Sequence, residues 1–308
     1  MKRRTYTPTG RTTGLVFAPN PCGAATQPLT DPNTGGSPVP AGTAFAAGPG
    51  QALAHPHVSL IFWGSWWAGN PLAAGVVSSV QALLAGPYLS YLAQYGVRRP
   101  DVRGATYVLD REPGNAFTDA DVAALVTYLL DQDQVPEPDE NYPNVYAVIL
   151  PANSAYAGLA PYDPQPLPPG TVSSVLGTNS SIVWNDYDLG DVDNDPAHFL
   201  WVGNDGTLPY ITTVFSHELA EIVTDPNSGD GVVQVAPQPV GGANQIGDVG
   251  TAWCDAVPGG RAQSYWSIAD GALVLPTMYS VRRTLAGRSI GGTLPHTPSA
   301  NTWIAAQF

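Results

Sequence analysis

Positive charge is what this sequence has least of. It carries 12 Lys and Arg against 25 Asp and Glu, a net charge of -13 at pH 7, and Lys2 is its one lysine. Nucleic acids and anionic membrane surfaces are held by basic patches, so the composition argues against both as partners. Charge of either sign is scarce, at 12% of residues where an average soluble protein has about 25%. Long apolar runs are missing too: nothing approaches the roughly 20 residues that span a bilayer, so no membrane span is expected. The start, "MKRRTYTPTGRTTGLVFAPNP", is basic but has no apolar stretch behind it, so it is not an ordinary signal peptide. Low charge with many Tyr, Trp, Asn and Gly nevertheless gives the chain a secreted, extracellular look. Cysteine is limited to Cys22 and Cys254. One disulfide tying the N-terminal segment to the C-terminal half and two unrelated thiols are both compatible with that pair. There is no G-x-S-x-G, no phosphate-binding glycine loop and no Cys-His order suited to a nucleophile.

What is present is apolar residues and turn formers. Hydrophobic residues are 44% of 308, enough for a substantial core, and Gly and Pro number 33 and 31. Residues 1–50 are rich in Pro, Gly, Thr and Ala and are expected to form an extended arm with little regular structure. Residues 51–308 are expected to form one domain. Strands are expected at 57–67, 105–110, 144–151 and 180–188, the last as an edge, and helices at 71–96, broken near Gly86-Pro87, and at 118–134, capped by Thr118. A further helix runs from near Pro209 to before Pro226. Alternation of this kind predicts an α/β sandwich with a mainly parallel sheet. It is also the order in which metzincin-type metalloproteases present their elements, an analogy of fold only.

The chemistry is concentrated in "TTVFSHELAEIVTDP", residues 212–226, which contains H-E-x-x-E. Residues four apart share a helix face, so His217 and Glu221 can grip one cation, imidazole and carboxylate both being good zinc donors. Glu218 is turned by about 100° and would sit beside the metal, placed to take a proton from a bound water. A catalytic zinc usually has three protein ligands. The metzincin spacing places Thr224 and Asn227 at its glycine and last histidine, and neither suits. Asp248, in "NQIGDVG", is the first candidate for the third ligand and Asp225, eight residues beyond His217, the second. So acidic a set would suit a harder cation as well as zinc. The bland alternative is an ordinary packed helix, with Leu219, Ile222 and Val223 in the core, His217 half-buried, and Glu218 and Glu221 solvated.

"SHELAEIVTDP", followed by "IGD" and "WCD", resembles the phosphate-induced or EXORDIUM-like family of secreted proteins. "HVSLIFWGSWW", "VYAVILP" and "LVLPTMYS" resemble strands of the same family, so the likeness runs discontinuously from about 57 to 282. Gln245 stands where the family has a glutamate, and Cys254 is displaced from its cysteine position. The resemblance implies a zincin-like (metzincin-like) three-layer fold, with His217, Glu218, Glu221 and Asp248 at the matching polar positions. It also implies a role at the cell wall or in growth control.

Asp186, Asp188, Asp191, Asp193 and Asp195 crowd the stretch "NDYDLGDVDNDP" and offer the oxygen ligands calcium takes. The spacing is not that of an EF-hand, since Pro196 and Val202 fall where glycine and glutamate are required; a solvated acidic loop is the alternative. His198 reads as an exposed loop histidine, and His55 and His57 as structural. Of Trp63, Trp66 and Trp67, two are expected to be buried; exposed, they would form a carbohydrate- or peptide-binding platform. Two functions are thus expected in competition. One is a zinc-dependent, metallopeptidase-like hydrolase acting on a peptide, protein or cell-wall-associated substrate. The other is a non-catalytic extracellular or cell-envelope binding or signalling protein on the same scaffold.

Overall fold

In the computed structural model the described residues are 7–16, 42–114, 116–139, 141–152, 154–157, 175–186, 193–227, 229–237, 245–248, 254–257, 259–276, 280–285, 288–289 and 294–295. Parallel strands buried on both faces read in sequence as apolar runs, and the apolar stretches of three strands make the centre of the molecule. They are β3 (His57–Trp63), β5 (Asn144–Ile149) and β7 (Asp193–Val202). With β1 (Thr7–Val16), β4 (Asp101–Val108) and β6 (Val175–Asp186) they form a six-stranded sheet in the order β1-β6-β7-β5-β3-β4. The pairings β7–β5, β5–β3 and β3–β4 are parallel. Those of β6 with β7 and β1 are antiparallel.

Helices cover both faces. α1 (Pro71–Ala85) and α3 (Leu208–Thr224) pack on the face presented by Val58, Leu60, Phe62, Val145, Ala147, Leu200 and Val202. α2 (Asp119–Asp131) covers the other, formed by Ile61, Trp63, Tyr146, Val148, Phe199 and Trp201. The start of α1 is fixed by Asn70, whose side chain accepts from the Leu72 amide at 3.0 Å, with Pro71 in the first turn. α1 ends at Gly86, and a 3-10 helix, Tyr88–Tyr95, follows, as the Gly-Pro break predicts. Thr118 caps α2 in a reciprocal box with Asp121. Asp119 then accepts from Thr178 Oγ1 at 2.7 Å and Trp201 Nε1 at 2.8 Å, pinning the helix start to β6 and β7.

Three expectations are corrected. Among the described residues the first 50 contain two strands, β1 and β2 (Ala44–Ala47), the latter paired with β8 (Val232–Ala236). Their hydrogen-bond partners lie more than a hundred residues away, so local composition gives no sign of them. β6 is also not an edge: β1 covers its outer side. Of the acidic stretch 185–196, where a loop was expected, 185–186 end β6 and 193–196 begin β7, antiparallel with Asp186 opposite Asp193, and 187–192 lie outside the described residues. β9 (Cys254–Val257) and β10 (Gly260–Gln263) form a hairpin, and β10 packs against α3. β11 (Tyr265–Ser267), β12 (Ala272–Pro276) and β13 (Ser280–Leu285) make a further antiparallel sheet. Cys254 is disulfide-bonded, and Cys22, the one other cysteine, lies outside the described residues. No single helix among the described residues is long and apolar enough to cross a membrane.

Candidate metal centre

α3 has no solvated face. From Ile211 to Thr224 every residue is buried, so the polar side chains its sequence carries are carried into the interior. His217 Nε2 lies 3.0 Å from Glu221 Oε1, as an i, i+4 pair should. Potential ligand atoms of His217, Glu218 and Glu221 all fall within 4.8 Å of one another. These three residues can hold a metal ion. The solvated alternative for the two glutamates is corrected: both are fully buried.

Asp248 arrives from a later segment. The turn Gln245–Asp248 is closed by Asp248 N donating to Gln245 O at 3.1 Å, and by Gln245 N donating to Asp248 Oδ2 at 3.1 Å. This leaves Asp248 Oδ1 facing His217 Nε2 at 3.7 Å. Asp225 is used otherwise. Its Oδ1 accepts from Gly229 N (2.9 Å) and Gly231 N (2.7 Å), and its Oδ2 from Gly229 N (2.8 Å) and Gln245 Nε2 (3.0 Å). It closes the loop after α3 and stands outside the cluster formed by His217, Glu218 and Glu221.

Three amides unforeseen in the sequence as site residues surround the cluster. Asn179, on β6, donates from Nδ2 to Glu218 Oε2 and Glu221 Oε2, each at 3.0 Å, and lies 3.2 Å from Gln245 Oε1. Gln245 accepts there and donates to Asp225, two tasks that a glutamate at this position could not combine while ionised. Gln263, on β10, places Nε2 at 2.7 Å from His217 Nδ1 and 3.1 Å from Gly247 O. Its Oε1 is buried without a hydrogen-bond partner. A metal on Nε2 requires the imidazole proton on Nδ1; turning the Gln263 amide over would present Oε1 to receive it, in exchange for the bond to Gly247 O. Gln263 is fixed by its own backbone: its N donates to Ser216 Oγ at 3.0 Å and its carbonyl accepts from Tyr88 OH at 2.8 Å. Two glycines complete the cradle. A Cβ on Gly247 would stand 2.7 Å from His217 Nδ1, and one on Gly177 would stand 2.7 Å from Glu218 Oε1.

The electrostatics are those of a site short of positive charge. Burial raises the Glu218 carboxyl well above the ordinary range; His217 offsets this in part and Glu221 adds to it. Burial does the same to Glu221, reinforced by Asp225. Burial, then Glu221, pushes Asp248 up to about 8. Without a cation the cluster therefore holds protons that the unfolded chain would release. Glu218 Oε1 is fully buried and has no hydrogen-bond partner, an arrangement native interiors seldom leave without a ligand. Among the described residues no lysine or arginine pairs with these carboxylates. The donor set fits a divalent cation on both counts.

Other candidates lie elsewhere. His198 is corrected from exposed to buried: it sits on β7 between β5 and β6, bonded to the Pro226 carbonyl, and burial pushes its imidazole down to about 4. The apolar run Ala197–Val202, which makes β7 an interior strand, was the signal. His57 bonds through its two ring nitrogens to Asp101 and Arg103 and stacks on Tyr142, a structural role. Trp63 and Trp67 are buried and Trp66 is half-buried. Of the aspartates considered for calcium, Asp188 and Asp191 lie outside the described residues, as do the side chains of Asp186 and Asp193; Asp195 is half-buried on β7, opposite Trp184. No family model, no curated protein and no solved structure matches the chain.

Proposed function

We propose that the cluster is a divalent-metal site, zinc in the first instance, on a zincin-like scaffold, and that the chain is a metallopeptidase-like hydrolase. The observation that supports this most is Glu218 Oε1, fully buried and without a partner beside an imidazole and two further carboxylates. His217, Glu221 and Asp248 are the ligands in this reading, and Glu218 is the general base. A metal held there would acidify a water and polarise a scissile carbonyl. Glu218 would act as the general base, taking a proton from the attacking water and giving it to the leaving amine. Asn179 would keep Glu218 and Glu221 apart and oriented. Gln263 would set the His217 tautomer. The disulfide at Cys254 supports an oxidising, extracellular setting, as does the resemblance to a secreted family.

The burial of all three α3 residues favours a second reading. Structural metal sites are closed and catalytic ones keep an open position. On that reading the protein is a non-catalytic binding or signalling protein stapled by its metal. Elemental analysis of the purified protein beside His217→Ala tests the metal: stoichiometric zinc, lost in the variant, supports both readings, and none in either removes both. Glu218→Gln then separates them. The hydrolase reading expects metal retained and hydrolysis of a peptide library abolished; the second reading expects no hydrolysis in either protein.

A further inference from the structure

The sheet edge beside the cluster is filled by the chain's own N-terminal strand. β6 supplies Asn179, which bonds both glutamates, and Gly177, which lies against Glu218. Its outer side is paired with β1, antiparallel, with Thr13 opposite Asn179 and Gly14 opposite Thr178. β1 also approaches α3. The pairing is broken on both sides of that point. Between Thr9 and Thr13, β1 has Gly10, Arg11 and Thr12 where β6 has only Ser180. Between Gly14 and Val16, β6 has Leu176 and Gly177 where β1 has only Leu15. Pro8 has no N–H to donate, and the two glycines weaken strand formation. The ladder is locally disrupted at both places. Residues 1–16 contain Lys2, Arg3, Arg4 and Arg11 and no acid, +4 in all, so the remaining chain carries -13 - 4 = -17.

We propose that β1 is an exchangeable occupant of this edge, and that the edge is a binding site for a separate extended, basic polypeptide segment. That segment pairs antiparallel with β6, past the carboxylate cluster, once β1 has left. Edge strands accept any extended backbone of fitting polarity, and the acidic body selects for basic ones. The binding claim stands on the sheet; only the step that makes the bound segment a substrate rests on the hydrolase reading.

The test uses the full chain with a site-specific protease sequence inserted between Ala18 and Pro19, cut after folding and stripped of residues 1–18 in high salt. A fluorescent peptide of residues 1–18 is then titrated by anisotropy. The stripped protein is expected to bind it one to one, more weakly as salt rises. The uncut protein should bind at least about tenfold more weakly, because tethered β1 competes at an effective concentration of millimolar order. A peptide of reversed sequence should bind several-fold more weakly than the native one. The proposal is overturned if the arm stays on in high salt, if circular dichroism shows the stripped protein unfolded, if neither protein binds the peptide, if the two bind it equally, or if the reversed peptide binds as well. Zinc content and peptide cleavage are measured in parallel. Binding without zinc or without cleavage leaves the exchange standing and removes the metal or the hydrolase reading separately.

Discussion

Depriving this protein of metal should make it less stable the higher the pH. The Asp248 carboxyl, ordinarily near 3.8, is pushed up to about 8 in the fold by burial and by Glu221. A raised carboxyl pKa means the fold favours the protonated form. Its contribution is complete below the unfolded value and is lost as pH rises from about 4 to about 8. Each unit is worth about 1.4 kcal/mol. Between pH 6.5 and 8 Asp248 alone should therefore remove about 2 kcal/mol, and Glu218 and Glu221 shift in the same direction. That window suits the test, because His198, about 4 in the fold against 6.5 when free, acts on stability mainly below it. A bound divalent cation holds the carboxylates ionised and cancels the slope. At one hundred times its dissociation constant it adds about 2.7 kcal/mol, or roughly 5 °C in Tm for a chain of this size. Differential scanning calorimetry at pH 6.5, 7.5 and 8.5, in chelator and in excess zinc, measures the gap. It should widen with pH, and Asp248→Asn should make the chelator series less steep. A metal-free Tm independent of pH, or a zinc effect of the same size at every pH, would refute the reasoning.

The other outcomes follow from single contacts. Asn179→Ala removes the amide shared by Glu218 and Glu221; calorimetric titration should show zinc affinity down by about 10–100-fold. Gly247→Ala places a methyl 2.7 Å from His217 Nδ1 and 2.8 Å from Glu221 Oε1, and should lower zinc content in elemental analysis while far-ultraviolet circular dichroism stays unchanged. His198→Leu removes an imidazole held down to about 4. The wild type should lose up to about 3 kcal/mol as pH falls from 6.5 to 4, because the unfolded chain gains a proton the fold refuses. Urea titrations of the variant should lack that loss.

The strands and helices with strong local patterns were legible. β3 and β5 are unbroken apolar runs, α2 carries its own cap and acidic first turn, and α3 is bracketed by Pro209 and Pro226. β1 and β7 were not, for two different reasons. β1 is a Thr-, Gly- and Pro-containing segment that becomes a strand because β6 offers an open edge, a fact of tertiary structure. β7 begins with aspartates that resemble a loop, although Ala197–Val202 is as apolar as β5. At the site, the i, i+4 rule paired His217 with Glu221 from spacing alone. Asn179, Gln245 and Gln263 carry no such signature, since an amide becomes second-layer support only through what folding sets beside it.

The burial of the two glutamates, by contrast, was written in the sequence. Between Leu208 and Thr224 the charge-bearing side chains are His217, Glu218 and Glu221, and the other polar groups are short hydroxyls and one tyrosine. Such a helix has no face to give to water, and a helix of that kind goes to the interior. Thr213 and Thr224 satisfy their hydroxyls on helix carbonyls, at 2.7 Å to Pro209 O and 2.8 Å to Ala220 O, and so travel inward at little cost. Glu218 and Glu221 have no such local remedy. Two carboxylates forced into one interior, with Asp248 brought up beside them, must keep protons, find a cation, or destabilise the fold. The same three residues thus link the packing of α3 to its chemistry. Replacing both glutamates by glutamine should raise metal-free stability at pH 8 while abolishing zinc binding, and a double variant that still binds zinc would show the ion to be held elsewhere.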